Sequence, residues 1–199
     1  LNSNTTGNYN AAFGYHSLYS NTSGSTNVAN GIYALASNTT GDSNIANGSL
    51  SLYSNTTGSW NTVNGYSALY YNTTGNCNTA TGVQALYSNT TGNYNTTGGA
   101  YSLLSNTTGG FNTANGDHAL YANSTGSYNT VSGCQALMSS GTGSYNTAQG
   151  FAALRNSTGS NNIAIGYQSG WNLTTGSNNI NIGNQGIARS EEHTSELQS

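Results

Sequence analysis

The sequence predicts an all-β protein, a parallel β-solenoid (β-roll) of eleven repeats of about 17 residues. Three observations lead there. The chain repeats with a 17-residue period, consensus N-T-T-G-x-Y-N-T-A-x-G-Y-x-A-L-Y-S. Each period holds two turn glycines seven residues apart, as in Gly41 and Gly48 or Gly58 and Gly65. One leucine per period keeps strict register from Leu18 to Leu154. Units this short cannot bury a face alone and must stack.

Within a repeat, the first element is the N-T-T-G turn, as in Asn38 to Gly41. The next few residues alternate and are rich in Thr, Val, Ile and Ala, as in Asn162-Ile163-Ala164-Ile165, which reads as a short strand. A second turn follows at the next glycine, often as Asn-Gly, where Asn tolerates and Gly favours the left-handed region. The segment after it, such as Tyr66-Ser67-Ala68-Leu69-Tyr70, reads as a second short strand. All intervals are too short for ordinary helices. The glycine series loses one residue after Gly143 and resumes at Gly159 and Gly176.

Stacking turns the repeat into rows about 4.8 Å apart along the axis. The core row is Leu18, Leu35, Leu52, Leu69, Leu86, Leu103, Leu120, Leu137 and Leu154, with Ala or Ser before each leucine. An asparagine row runs through Asn10, Asn27, Asn44, Asn61, Asn78, Asn95, Asn112, Asn129, Asn146, Asn162 and Asn179. It is expected to form an amide ladder, each side chain donating to and accepting from its neighbours. One large apolar side chain per coil is thin cover for the residues it must order. That shortfall points to burial against other chains, as in a trimer.

Composition narrows the function. Hydrophobic residues are 34% and charged residues 4%, with a net charge of −3 and no proline. No basic patch offers a footprint for nucleic acid, and no apolar run is long enough for a membrane helix. Residues 189–199, RSEEHTSELQS, break the repeat and carry three of the five acidic residues. That string resembles the conceptual translation of a short-read sequencing adapter and is set apart from the fold of residues 1–188. The repeat starts in mid-unit at Leu1, so both natural ends are expected to be missing.

The motif N-T-A-x-G-Y-x-A-L, above all Asn162-Ile163-Ala164-Ile165-Gly166-Tyr167-Gln168-Ser169, resembles the head repeats of trimeric autotransporter (YadA-like) adhesins. With its NTTG spacers it is also similar to the shaft repeats of phage-type tail fibres. The resemblance covers residues 1–188. It implies a left-handed β-roll assembled as a homotrimer. It also implies an extracellular place on a cell surface or virion, and attachment to a host-cell surface protein or glycan. The unit here is longer than that family's common head repeat, and adhesin and tail fibre share the features that residues 1–188 show.

Candidate binding residues are aromatic. One column is Tyr9, Trp60, Tyr94, Phe111, Tyr128 and Tyr145; the other is Tyr19, Tyr53, Tyr70, Tyr87 and Tyr121. Such rings suit glycan or protein surfaces, and cross-coil stacking alone would also maintain them. Two threonine columns raise an alternative function, an ice-binding solenoid: Thr5, Thr39, Thr56, Thr73, Thr90 and Thr107, and Thr62, Thr79, Thr96, Thr113, Thr130 and Thr147. Ice-binding faces usually present Thr-x-Thr, whereas adjacent threonines of NTTG would point oppositely in an extended chain.

Enzymatic chemistry is not expected, and no cofactor or metal is implied. His16 and His118 sit six coils apart, about 29 Å at the β spacing. Asp42 and Asp117 have no carboxylate partner in register. Cys77 and Cys134 lie in different rows, beyond the reach of a disulfide. Asn4, Asn21, Asn38, Asn55, Asn72, Asn89, Asn106 and Asn123 are formal N-glycosylation sequons.

Overall fold

The computed structural model describes residues 2–186; residues 189–199 lie outside them. Eleven three-residue strands follow one another in chain order: β1 Ala11–Phe13, β2 Val28–Asn30, β3 Ile45–Asn47, β4 Thr62–Asn64, β5 Thr79–Thr81, β6 Thr96–Gly98, β7 Thr113–Asn115, β8 Thr130–Ser132, β9 Thr147–Gln149, β10 Ile163–Ile165 and β11 Ile180–Ile182. They form one parallel sheet in sequential order. Each strand pairs with its equivalent in the next coil, Thr62 with Thr79 and Val63 with Ala80, for example. The chain is thus an all-β parallel solenoid.

The core is narrow and repeats once per coil. The strand centre is a small residue turned inward, as at Ala46, Val63 and Ala80. Opposite it lies the leucine row, in which Leu18 to Leu154 are all 0% exposed. The residue before each leucine is equally enclosed, as at Ala34, Ser51 and Ala68. Where that residue is serine its hydroxyl is satisfied locally: Ser51 Oγ donates to the Gly48 carbonyl at 2.8 Å, and Ser102 Oγ to Gly99 at 2.9 Å. That bond lets Ser replace Ala inside an apolar column at little cost.

The second expected strand is absent; that arm of the coil is a run of turns. Ala34 and Leu35 are neighbours and both wholly buried, whereas an extended strand sends neighbours to opposite faces. The chain resolves this by curling, with φ 56° at Tyr33 and 52° at Leu35. Its main chain still bonds along the stack. Tyr33 N donates back to the Tyr15 carbonyl at 2.8 Å, and Leu35 N forward to Ser51 at 3.0 Å.

A third left-handed position precedes each ladder asparagine. Trp60, Cys77 and Tyr94 hold φ between 57° and 59° there, and Asn161 and Asn178 hold 58° and 61°. Asparagine enters this region far more readily than other residues with a side chain. Cys77→Asn is therefore expected to stabilise the chain by about 1 kcal/mol, read as a higher urea midpoint with an unchanged slope.

The lost residue falls in a turn. Ile163 still pairs with Thr147, so the strand register survives the shorter coil. Near the C-terminal end the core is refilled from another position. Gly170 stands in the leucine row with φ 67°, and Leu173, three residues on, is buried in its stead.

Candidate interaction surfaces

Two asparagine rows turn inward, so the solenoid carries two amide ladders. In the row the sequence singled out, Asn44 N donates to Asn27 Oδ1 of the preceding coil at 2.9 Å. Asn44 Nδ2 donates to Asn27 Oδ1 at 3.2 Å and to the Gly58 carbonyl at 2.8 Å. The pattern recurs at Asn61, Asn78, Asn95, Asn112 and Asn129. These side chains hold the coil closed where it turns into the strand.

The second ladder is built from the asparagines of NTTG. Asn55 Nδ2 donates to Asn38 Oδ1 at 2.9 Å and to Gly58 at 2.9 Å; Asn72 repeats this with Asn55 and Gly75. Asn21, Asn38, Asn55, Asn72, Asn89, Asn106 and Asn123 are 0% exposed. The nitrogens of these seven NTTG-row sequons are therefore spent inside the folded stack, and of that row Asn4, in the first coil, is exposed. The ladder ends where serine replaces asparagine: Ser140 Oγ donates to Asn123 Oδ1 at 3.4 Å. Ser157 Oγ, in register with the apolar Leu173, is buried without a partner. The row from Asn4 to Asn123 was visible in the sequence, but its turn setting disguised it.

The two threonine columns part company. Thr39 Oγ1 donates to the Thr56 carbonyl at 3.0 Å and Thr56 Oγ1 to Thr73 at 3.0 Å, and Thr5, Thr73, Thr90 and Thr107 do likewise. These hydroxyls stitch coil to coil. Thr62, Thr79, Thr96, Thr113, Thr130 and Thr147 instead open the strands β4 to β9 and point outward, with the buried strand centre beside them.

The aromatic columns stack. Tyr94 and Phe111 lie 4.9 Å apart at 14°, Phe111 and Tyr128 5.0 Å at 2°, and Tyr128 and Tyr145 5.1 Å at 2°. Rings packed face to face along the axis cover one another's faces and offer the surface their edges. Tyr9 and Trp60 stand apart from this stack, with Thr26, Ser43 and Cys77 in the intervening positions. In the other column Tyr53, Tyr70 and Tyr87 stack at 5.0 and 5.4 Å. Tyr19 packs on His16 and Tyr121 on His118.

Burial, the largest cause, raises the Tyr70 and Tyr87 phenols above the usual tyrosine range; neighbouring tyrosines, Tyr53 for Tyr70 and Tyr71 for Tyr87, add to it. A raised folded-state value means that the folded chain holds these protons longer than the unfolded chain. The contribution is complete below the ordinary tyrosine value of about 10 and is lost as pH rises through the higher folded value. Stability, read as Tm in alkaline buffers, is expected to fall above that pH, and Tyr70→Phe to flatten the fall.

Titratable groups are sparse. His118 Nδ1 lies 2.8 Å from Asp117 Oδ2 on the surface. Cys134, one coil on from Asp117, is a free thiol, as is Cys77. Among the described residues no cluster of three His, Cys, Asp or Glu is placed to hold a metal ion. No described helix is long and apolar enough to cross a membrane.

Comparison with protein-family models, with curated proteins and with solved structures finds no match to this chain.

Proposed function

We propose that the chain is a segment of a structural, adhesive fibre, carried outside the cell as part of a trimeric surface adhesin or a viral tail fibre. The observation that supports this reading is the unbroken in-register stack of eleven strands. Such a stack repeats every surface group once per coil along a stiff axis. Many weak contacts then act together on a cell-surface protein or glycan, and trimerisation multiplies them. The work is mechanical display rather than catalysis.

Association of three chains side by side is supported by the slender core and by exposed apolar groups at the corner after the second glycine. Tyr15, Ile32, Tyr66, Val83, Phe151 and Tyr167 all stand well out of the surface there. Apolar surface of this kind marks interaction sites. Light scattering on the folded chain, with circular dichroism on the same sample, tests the proposal. A β-rich species of three times the chain mass is expected; a β-rich monomer at all concentrations would remove the trimer.

A further inference from the structure

We infer that the outer face of the sheet from β4 to β9 is an ice-binding surface. The inference goes beyond the fibre reading: it concerns a ligand other than a cell-surface protein or glycan and stands on the strand face alone.

Thr62, Thr79, Thr96, Thr113, Thr130 and Thr147 are direct register partners over six successive coils. Two residues on, the same face shows Asn64, Thr81, Asn115, Ser132 and Gln149, broken only by Gly98. The Thr-x-Thr relation that the NTTG pair lacks occurs here once, at Thr79-Ala80-Thr81, where both threonines are exposed and Ala80 is buried; the other coils pair the threonine with Asn, Ser, Gln or Gly. Columns of this kind repeat at about 4.8 Å up the stack and about 6.6 Å across it. Oxygen positions on the prism faces of hexagonal ice repeat at comparable intervals in two perpendicular directions.

Three further properties fit a crystalline water surface. A strand threonine is stiff at χ1, so its hydroxyl and methyl are placed before any ligand arrives. Side-chain ladders help a many-stranded sheet to stay flat, and two amide ladders run along this stack, one of them from the residue just before each strand. The face carries no charge: the charged residues among those described, Asp42, Asp117 and Arg155, all lie outside the strands. A charged group would hold its own hydration shell against the lattice, whereas alternating methyl and hydroxyl groups let water order across the face.

The test is ice shaping, thermal hysteresis and recrystallisation inhibition by the folded full chain. It is compared with the double variant Thr79→Lys/Thr113→Lys and with Thr57→Lys on the exposed NTTG ridge. Circular dichroism checks that each variant keeps the wild-type spectrum. Activity in the wild type and in Thr57→Lys, with loss in the double variant, is expected. Absence of activity in folded wild type, or equal activity in the double variant, overturns the inference. Mass measured on the same samples separates this from the fibre proposal. An inactive trimer overturns the ice face and leaves the fibre standing, whereas an active monomer supports the ice face and removes the trimer.

Discussion

Leu86→Ala is expected to lower the unfolding free energy by about 2–5 kcal/mol. Leu86 is fully buried in the middle of a column with Leu69 on one side and Leu103 on the other. Its remaining core neighbours are small, as at Ala80 and Ala85. Methyl groups on a backbone held by intercoil hydrogen bonds have nothing to move into the space. The cavity therefore stays open, and the cost belongs at the upper part of the range for this kind of truncation. In a one-dimensional stack the lesion weakens the two interfaces of one coil rather than the whole molecule. Hydrogen exchange should show the coils around residue 86 losing protection first, with urea denaturation giving the overall loss. A loss well under about 1 kcal/mol would mean that the leucine column does not carry the core.

Gly99→Ala is expected to break the stack outright. Gly99 has φ +132°, a region closed to residues with a side chain. A Cβ there would also stand 2.6 Å from both the carbon and the oxygen of the Gly116 carbonyl in the next coil. Backbone atoms bound into a ladder cannot give way, since Gly116 N itself donates to Gly98 O at 2.6 Å. Strain alone costs about 1–3 kcal/mol, and the clash adds to it by prising two coils apart. Gly141→Ala is the matched control. Its φ is +62°, yet nothing lies within 4 Å of the added methyl, so only the left-handed penalty of roughly 1–2 kcal/mol applies. Equal melting temperatures for the two variants would contradict this account of the glycine row.

Much of the architecture was legible because a short repeat converts sequence period into spatial register. Once coils stack, residue and period partner must meet, so the leucine row and the Asn10-to-Asn179 ladder could be read off directly. The strand was legible too, since Ile163-Ala164-Ile165 alternates as a half-buried strand does. The tyrosines and threonines could be assigned to columns but not to directions.

Direction was decided by the tertiary structure. The A-L pair at Ala34 and Leu35 looks like strand by composition, yet closing the coil around a thin core demands that both point inward, and the backbone curls through positive φ to do it. The same closure turned the NTTG asparagines from surface sequons into a second buried ladder. It also spent the first hydroxyl of each NTTG on a neighbouring carbonyl and left the strand threonines as the outward array. The sequence by itself determined the period, the strand and which residues share a row. Which way each row faces was settled only by the folded coil, because side-chain direction outside an extended strand follows the sign of φ. That sign is chosen by the need to enclose the core, not by local preference.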